Sequence, residues 1–298
     1  MRNKKILQVF IGILLFASLG FKQKKVINDK INFIYADSVN NIWVGASGGF
    51  YRIKSAEYDN AKNIKKSAEI KGAAEDSKKN IYFGIGKTIV YYNTEKENEE
   101  KIIEPVGMGR QDSSIECLAI DGKDNLWIGR NNDMLVMYNG KSFKTFPVWD
   151  VASIDFSSSG DTWVGAKSGI YCIKNGALEE FNQDNSDLPD NIINDIIIDD
   201  YDNIWIATNF GLVKYNRHIW IIYNTENSEL KNNQVTSVYL DKNGSLIIGM
   251  HSGDLQIIKN NKWQGLDLGL KKQTINTVFR DSKDVFLLGT DSGLVISK

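Results

Sequence analysis

The chain has 298 residues, 42% hydrophobic and 24% charged, with 25 Gly, 3 Pro and 2 Cys. This ordinary globular composition excludes wholesale disorder, a collagen-like chain and a disulfide-dense scaffold. A formal charge of −1 gives no electrostatic reason to expect nucleic acid.

The first five residues carry Arg2, Lys4 and Lys5, and residues 6–21 are almost wholly apolar apart from Gln8 and Ser18. Ala17, Ser18 and Gly20 supply a small-residue exit, so residues 1–21 read as a signal peptide. The sixteen-residue apolar run is shorter than the roughly 20 residues of a spanning helix. An uncleaved anchor is the alternative. No Cys near the exit supports a lipoprotein anchor, and no later stretch is long enough to cross a membrane. Residues 22–298 are therefore expected to form a soluble, monomeric domain, periplasmic or secreted.

The remainder repeats itself seven times, and a fixed period changes the meaning of every residue in it. The first copy reads Asp37 … Asn41-Ile42-Trp43-Val44-Gly45 … Gly49, and the third Asp121 … Asn125-Leu126-Trp127-Ile128-Gly129. The fourth opens on Ser157 where the others have Asp, and the sixth has Ile247 where Trp is commonest. The equivalent positions 43, 82, 127, 163, 205, 247 and 287 are spaced by 39, 45, 36, 42, 42 and 40 residues.

Within each copy, short β-rich runs alternate with turn residues and show no helical period. Four strands in about 40 residues match one propeller blade. The expected fold is all-β: a seven-bladed β-propeller of four-stranded blades in one domain. The recurring Asp should cap its hairpin turn, the Gly should mark close approach of blades, and the Trp should fill the space between them. The last copy lacks a fourth strand, so residues 22–28 are expected to supply it and close the ring.

With D-x-x-x-N-[IL]-W-[IV]-G and a following G-[LI]-x-x-[YF], the repeat resembles the two-component regulator propeller family; Ser186-Asp187-Leu188-Pro189-Asp190-Asn191 precedes the fifth copy. In that family such blades form the periplasmic sensor region of hybrid histidine kinases, commonly in Bacteroidetes, associated with glycan sensing. The resemblance implies a non-catalytic exported propeller that binds a small ligand, a glycan or an envelope protein, with no cofactor. With no kinase or DNA-binding region in the sequence, signalling would need a separate partner.

Streptogramin lyases, also single seven-bladed propellers, are the enzymatic alternative. Their chemistry uses a His base and a divalent metal. Only His218 and His251 exist here; His251 lies in the turn Gly249-Met250-His251-Ser252-Gly253, while His218 is expected on an outer strand. No HExxH, EF-hand or Cys/His cluster offers a metal site, and no G-x-S-x-G elbow is present. A structural envelope module is the third reading. Cys117 and Cys172 are expected as free thiols, because their strands should lie too far apart to bridge. The charged stretches 62–71 and 95–101 read as solvated loops or outer edges.

A ligand is expected where the turns between second and third strands meet the connections leading into each blade. The turns place Ser47, Asn131, Lys167, Asn209, His251 and Asp291 there; the connections add Arg110, Trp149, Asp150, Asn191, Asn233 and Lys272. These positions vary between copies, as a ring needs if it is to present a non-symmetric surface.

Overall fold

Each repeat folds into one antiparallel sheet of four strands, and seven such sheets form the ring. The computed structural model describes residues 23–297, apart from 55, 56, 59, 67, 68, 94, 95, 97, 104–111 and 271. The expected signal segment 1–21 lies outside the described residues. Innermost strands are Ile31–Ala36, Ile70–Glu75, Ser114–Ile120, Val151–Phe156, Ile193–Ile198, Val235–Leu240 and Ile275–Arg280, each packed against its counterparts in both neighbouring blades. Second strands such as Ile42–Ala46, Thr162–Ala166 and Phe286–Thr290 are buried at every residue. Covered on both faces by neighbouring blades, they have no reason to alternate apolar with polar residues, hence the continuous Trp-Val-Gly-type runs.

The ring closes as expected. Gln23–Ile27 pairs antiparallel with Gly293–Ser297 and forms the outermost strand of blade seven. The charged stretches at 62–71 and 95–101 contribute the outer strands Lys62–Lys66 and Asn98–Ile103.

The recurring Asp joins a turn to the interior. Asp37 Oδ1 accepts N–H bonds from Val39 and Asn41, while Oδ2 accepts Trp43 Nε1–H at 2.9 Å. Asp121 and Asp199 hold Trp127 and Trp205 in the same way, each at 3.0 Å. In blade four Ser157 is too short, and the buried Trp163 Nε1 has no hydrogen-bond partner. In blade two Tyr82 replaces the Trp and its hydroxyl still donates to Asp76, at 3.2 Å. Where an aliphatic residue stands there, the spare oxygen serves a neighbour: Asp241 accepts Arg280 at 2.9 Å, and Asp281 accepts the Tyr58 hydroxyl.

The recurring Gly is a seat for the next blade. A Cβ on Gly129 would lie 2.7 Å from Val151 Cγ1, and one on Gly289 2.6 Å from Ile31 Cγ2. A side chain at either position would have to displace its neighbour, which accounts for the glycine there; blade five has Ala207 at the equivalent place. His218 departs from expectation: it lies in the turn before the outer strand Trp220–Tyr223, its N–H bonded to Asn216 Oδ1. Pairing there starts only at Trp220, against Tyr215, because residues 216–219 form the hairpin turn. Cys117 and Cys172 are both free, as expected.

Candidate recognition face and central channel

One end of the ring gathers the turns between second and third strands with the connections into each blade. Ser47 N–H donates to Lys30 O at 3.0 Å, Lys167 N–H to Asp150 O at 3.2 Å and His251 N–H to Gln234 O at 3.0 Å. All the expected ligand positions stand at this loop end except Arg110, which lies outside the described residues.

Their side chains divide into two groups. Asn191 and Asn233 are loop staples: each Oδ1 accepts a backbone N–H at 2.8 Å, from Gln183 and Thr225 respectively. The two loops are copies, since Ser186 and Ser228 hydroxyls also donate to Asn182 O and Asn224 O at 2.6 Å each. Asn131 Oδ1 accepts Ser114 N–H at 2.6 Å, and Asp150 Oδ1 accepts Asn132 N–H at 2.7 Å. Asn209 donates to Asp190, and Asp291 accepts from Asn276 while standing 3.7 Å from Lys30 Nζ. Ser47 is half-buried in its turn. Lys167, His251 and Lys272 are exposed, as is Trp149 at 42%. These four can meet a ligand without dismantling a loop. Ile192 and Phe210 are also exposed at this end; as isolated apolar residues beside turns they gave no signal in the sequence.

The innermost strands pair on one side only, so their free edges face the channel and need other partners. Every innermost strand carries a β-bulge near its start, after the first paired residue in six blades, as between Ile31 and Phe33 and between Ile275 and Thr277, and after the second, Ile115, in blade three. A bulge re-aims the extra side chain. Here it reaches the next blade. Asn32, Asn194 and Asn276 donate Nδ2–H to Ile70 O, Val235 O and Ile31 O at 2.7–3.1 Å, and Thr236 donates to Ile275 O at 2.6 Å. Lys71 instead pairs with Glu116 at 3.0 Å. Blade four has Ala152 at this position, which has no polar group to offer.

Beyond the bulges the channel opens into a cavity of about 790 Å³ that extends to the opposite, turn end. Tyr35, Tyr239 and Phe279 line one side, small Ala73, Ala74 and Ala119 another, and Asp155 and Asp195 a third. Asp155 accepts Phe156 N–H and, from the next blade, Ile198 N–H at 2.7 Å. Asp195 accepts Ile196 N–H, the Ser153 hydroxyl and, from the next blade, Val238 N–H at 3.0 Å. Both carboxylates thus join adjacent blades. Burial pushes Asp155 up to about 6 against the pull of its N–H bonds. Burial does the same to Asp195, also to about 6, with the charge of Asp155 adding to the rise. Burial likewise raises the Cys117 thiol, keeping it protonated and unreactive.

His251 Nδ1 stands 3.1 Å from Thr274 Oγ1. Among the described residues no group of three or more His, Cys, Asp or Glu is arranged to hold a metal ion.

Residues 187–210, the connection and first two strands of blade five, match the family described as Two component regulator propeller. This bears out the resemblance carried by the repeat. The chain is 26% identical over 227 residues to histidine kinase P4 of Formosa agariphila, covering 67% of this chain and 16% of that protein. Among solved structures it resembles the extracellular domain of a hybrid two component system protein of B. thetaiotaomicron, with TM-score 0.71, 21% identity, and coverage of 90% of this chain and 39% of that one. A streptogramin B lyase superposes with TM-score 0.77 at 13% identity, covering 93% of this chain and 97% of that one. These structural likenesses show the seven-bladed fold. The chain spans about one sixth of the kinase and two fifths of the extracellular domain it matches.

Proposed function

We propose that this chain is an extracytoplasmic recognition propeller that binds a ligand at its loop end and leaves it chemically unchanged. The similarity to part of a histidine kinase over 227 residues carries the reading, because it ties this propeller to a sensing protein rather than merely to a fold. An export signal at residues 1–21 fits that location, as does the extracellular placement of the B. thetaiotaomicron neighbour. Trp149 offers an exposed ring, and Lys167 and Lys272 offer hydrogen-bond donors, a combination suited to an oligosaccharide. Lyase chemistry is not proposed. The likeness to a streptogramin B lyase is one of fold at 13% identity.

The test is a thermal-shift screen of the chain against neutral and acidic oligosaccharides, with mass spectrometry of each hit after overnight incubation. A saccharide that raises the melting temperature and is recovered intact supports the reading. Turnover of a hit, or metal-dependent opening of a streptogramin that His251→Ala abolishes, overturns it.

A further inference from the structure

Charge is unevenly distributed around the ring. Residues 151–234, which build blades four and five, hold thirteen acidic and five basic side chains. Residues 22–150 and 235–298 hold 24 acidic and 28 basic. A nearly neutral chain thus contains a two-blade sector of formal charge −8 beside a weakly basic remainder.

The same sector carries the exposed apolar surface. Of eight large apolar side chains exposed among the described residues, six fall in this sector, between 178 and 221. Ile192 and Phe210 stand at the loop end; Leu178 and Ile221 lie on the outer strands Ala177–Phe181 and Trp220–Tyr223, with Ile219 just before the second. Tyr201, 87% exposed, extends the run to the turn end. Single exposed apolar residues are ordinary, but their concentration on two adjacent blades is the mark of an interaction surface.

The two features together select a partner. Apolar anchors spread from one end of the blades, over the rim, to the other span more than a small ligand covers. A field of this sign repels nucleic acid and gives a neutral glycan nothing to answer. It favours Lys and Arg on the partner, raising the association rate and fixing register. Glu179, next to Leu178 on the outer strand, and Asp184 and Asp187, in the connection that follows it, are all exposed and carry that charge. The outer strands also leave one backbone edge unpaired, to which an extended segment can add as a further strand.

We infer that blades four and five form a docking surface for a basic polypeptide segment, whose apolar side chains seat on Phe210, Ile219 and Ile221 while its Lys and Arg face the acidic side chains. This surface is independent of saccharide binding at the loop end and stands whether or not that occurs.

The test uses the full chain and fluorescein-labelled twelve-residue peptides that alternate Lys or Arg with Leu or Phe, with Glu-for-Lys/Arg counterparts as controls. Binding is measured by anisotropy at 50 and 500 mM salt, and the footprint by hydrogen exchange. Two variants are compared, Phe210→Ser/Ile219→Ser/Ile221→Ser and Glu179→Gln/Asp184→Asn/Asp187→Asn, each first checked for an unchanged near-ultraviolet circular dichroism spectrum. The expected result is binding of the basic peptides alone, weakened at least tenfold by either variant, with slowed exchange in 177–181 and 220–223. Equal binding by both variants, a footprint on other blades, or no binding would overturn the proposal. A dimer in sedimentation velocity that the Ser variant dissolves would assign the surface to a second copy of the chain, also overturning it.

Discussion

Asn276 in the last blade donates its Nδ2–H to the backbone carbonyl of Ile31 in the first, at 3.1 Å. The same Ile31 packs its side chain over Gly289, so the inner seam of the ring closes through one residue. The outer seam closes separately, through the pairing of Gln23–Ile27 with Gly293–Ser297.

The outer seam should matter most to stability. A chain beginning at residue 29 loses that strand, uncovers the edge of Gly293–Ser297 and exposes the pocket filled by buried Ile27. Removing several kcal/mol from a domain of this size should lower the melting temperature by roughly 10 °C or more relative to a chain beginning at residue 22. Differential scanning calorimetry of the two decides it; coincident transitions would show that the strand does not close the ring.

Gly289→Ala tests the inner seam. The new Cβ would meet Ile31 Cγ2 at 2.6 Å and Thr277 Cγ2 at 2.5 Å, and overpacking of this kind costs about 1–3 kcal/mol. Gly122, with nothing within 4 Å of its ideal Cβ, is the control and should change stability by less than about 0.5 kcal/mol as Ala. Urea unfolding of both variants measures the difference.

Blade four carries a repairable defect. Trp163 Nε1 is buried without a partner, where Trp43, Trp127 and Trp205 each bond an Asp. Ser157→Asp alone brings a carboxylate against Asp161, whereas Ser157→Asp/Asp161→Asn recreates the pairing seen in blades one, three and five. The double variant should gain about 1 kcal/mol in urea unfolding and exceed the single one. A double variant less stable than the original chain would mean that the contact of Asp161 with Arg217, at 3.1 Å, outweighs the repaired bond.

The channel carboxylates predict a pH dependence. Asp155 and Asp195 titrate near 6 in the fold and near the ordinary 3.8 when unfolded, so folding takes up protons between those values. Their contribution is fully present below the lower value and is lost as pH rises through 6. On the order of 2 kcal/mol per group should disappear between pH 4.5 and 7.5, after allowance for screening by channel water. Urea unfolding across this range should show the loss, with Asp195→Asn flattening it. Stability that rises with pH in both proteins would contradict the assignment.

The fold was legible because its signals repeat. Seven copies of an aromatic or aliphatic residue at near-constant spacing, six of them with the Asp and six with the Gly, leave little choice of architecture. The unpaired last copy pointed to residues 22–28, where the strand Gln23–Ile27 lies. The loop end was legible as a place but not residue by residue. Asn191 and Asn233 look like binding residues in sequence, yet each closes its own loop with Oδ1. A polar residue in a turn serves either backbone or ligand, and only geometry separates the two. Asp155 and Asp195 were missed because they occur at two different positions of the innermost strand, once each, outside the repeat pattern. A carboxylate within Ile193–Ile198 was the available signal.

Recognition at the loop end is tested most directly by one titration. An oligosaccharide found in the thermal-shift screen should be titrated calorimetrically into the original chain and into Trp149→Ala/Lys167→Ala. The prediction is at least tenfold weaker binding by the double variant with its melting temperature unchanged, both side chains being exposed. Equal affinity in the two proteins would contradict it.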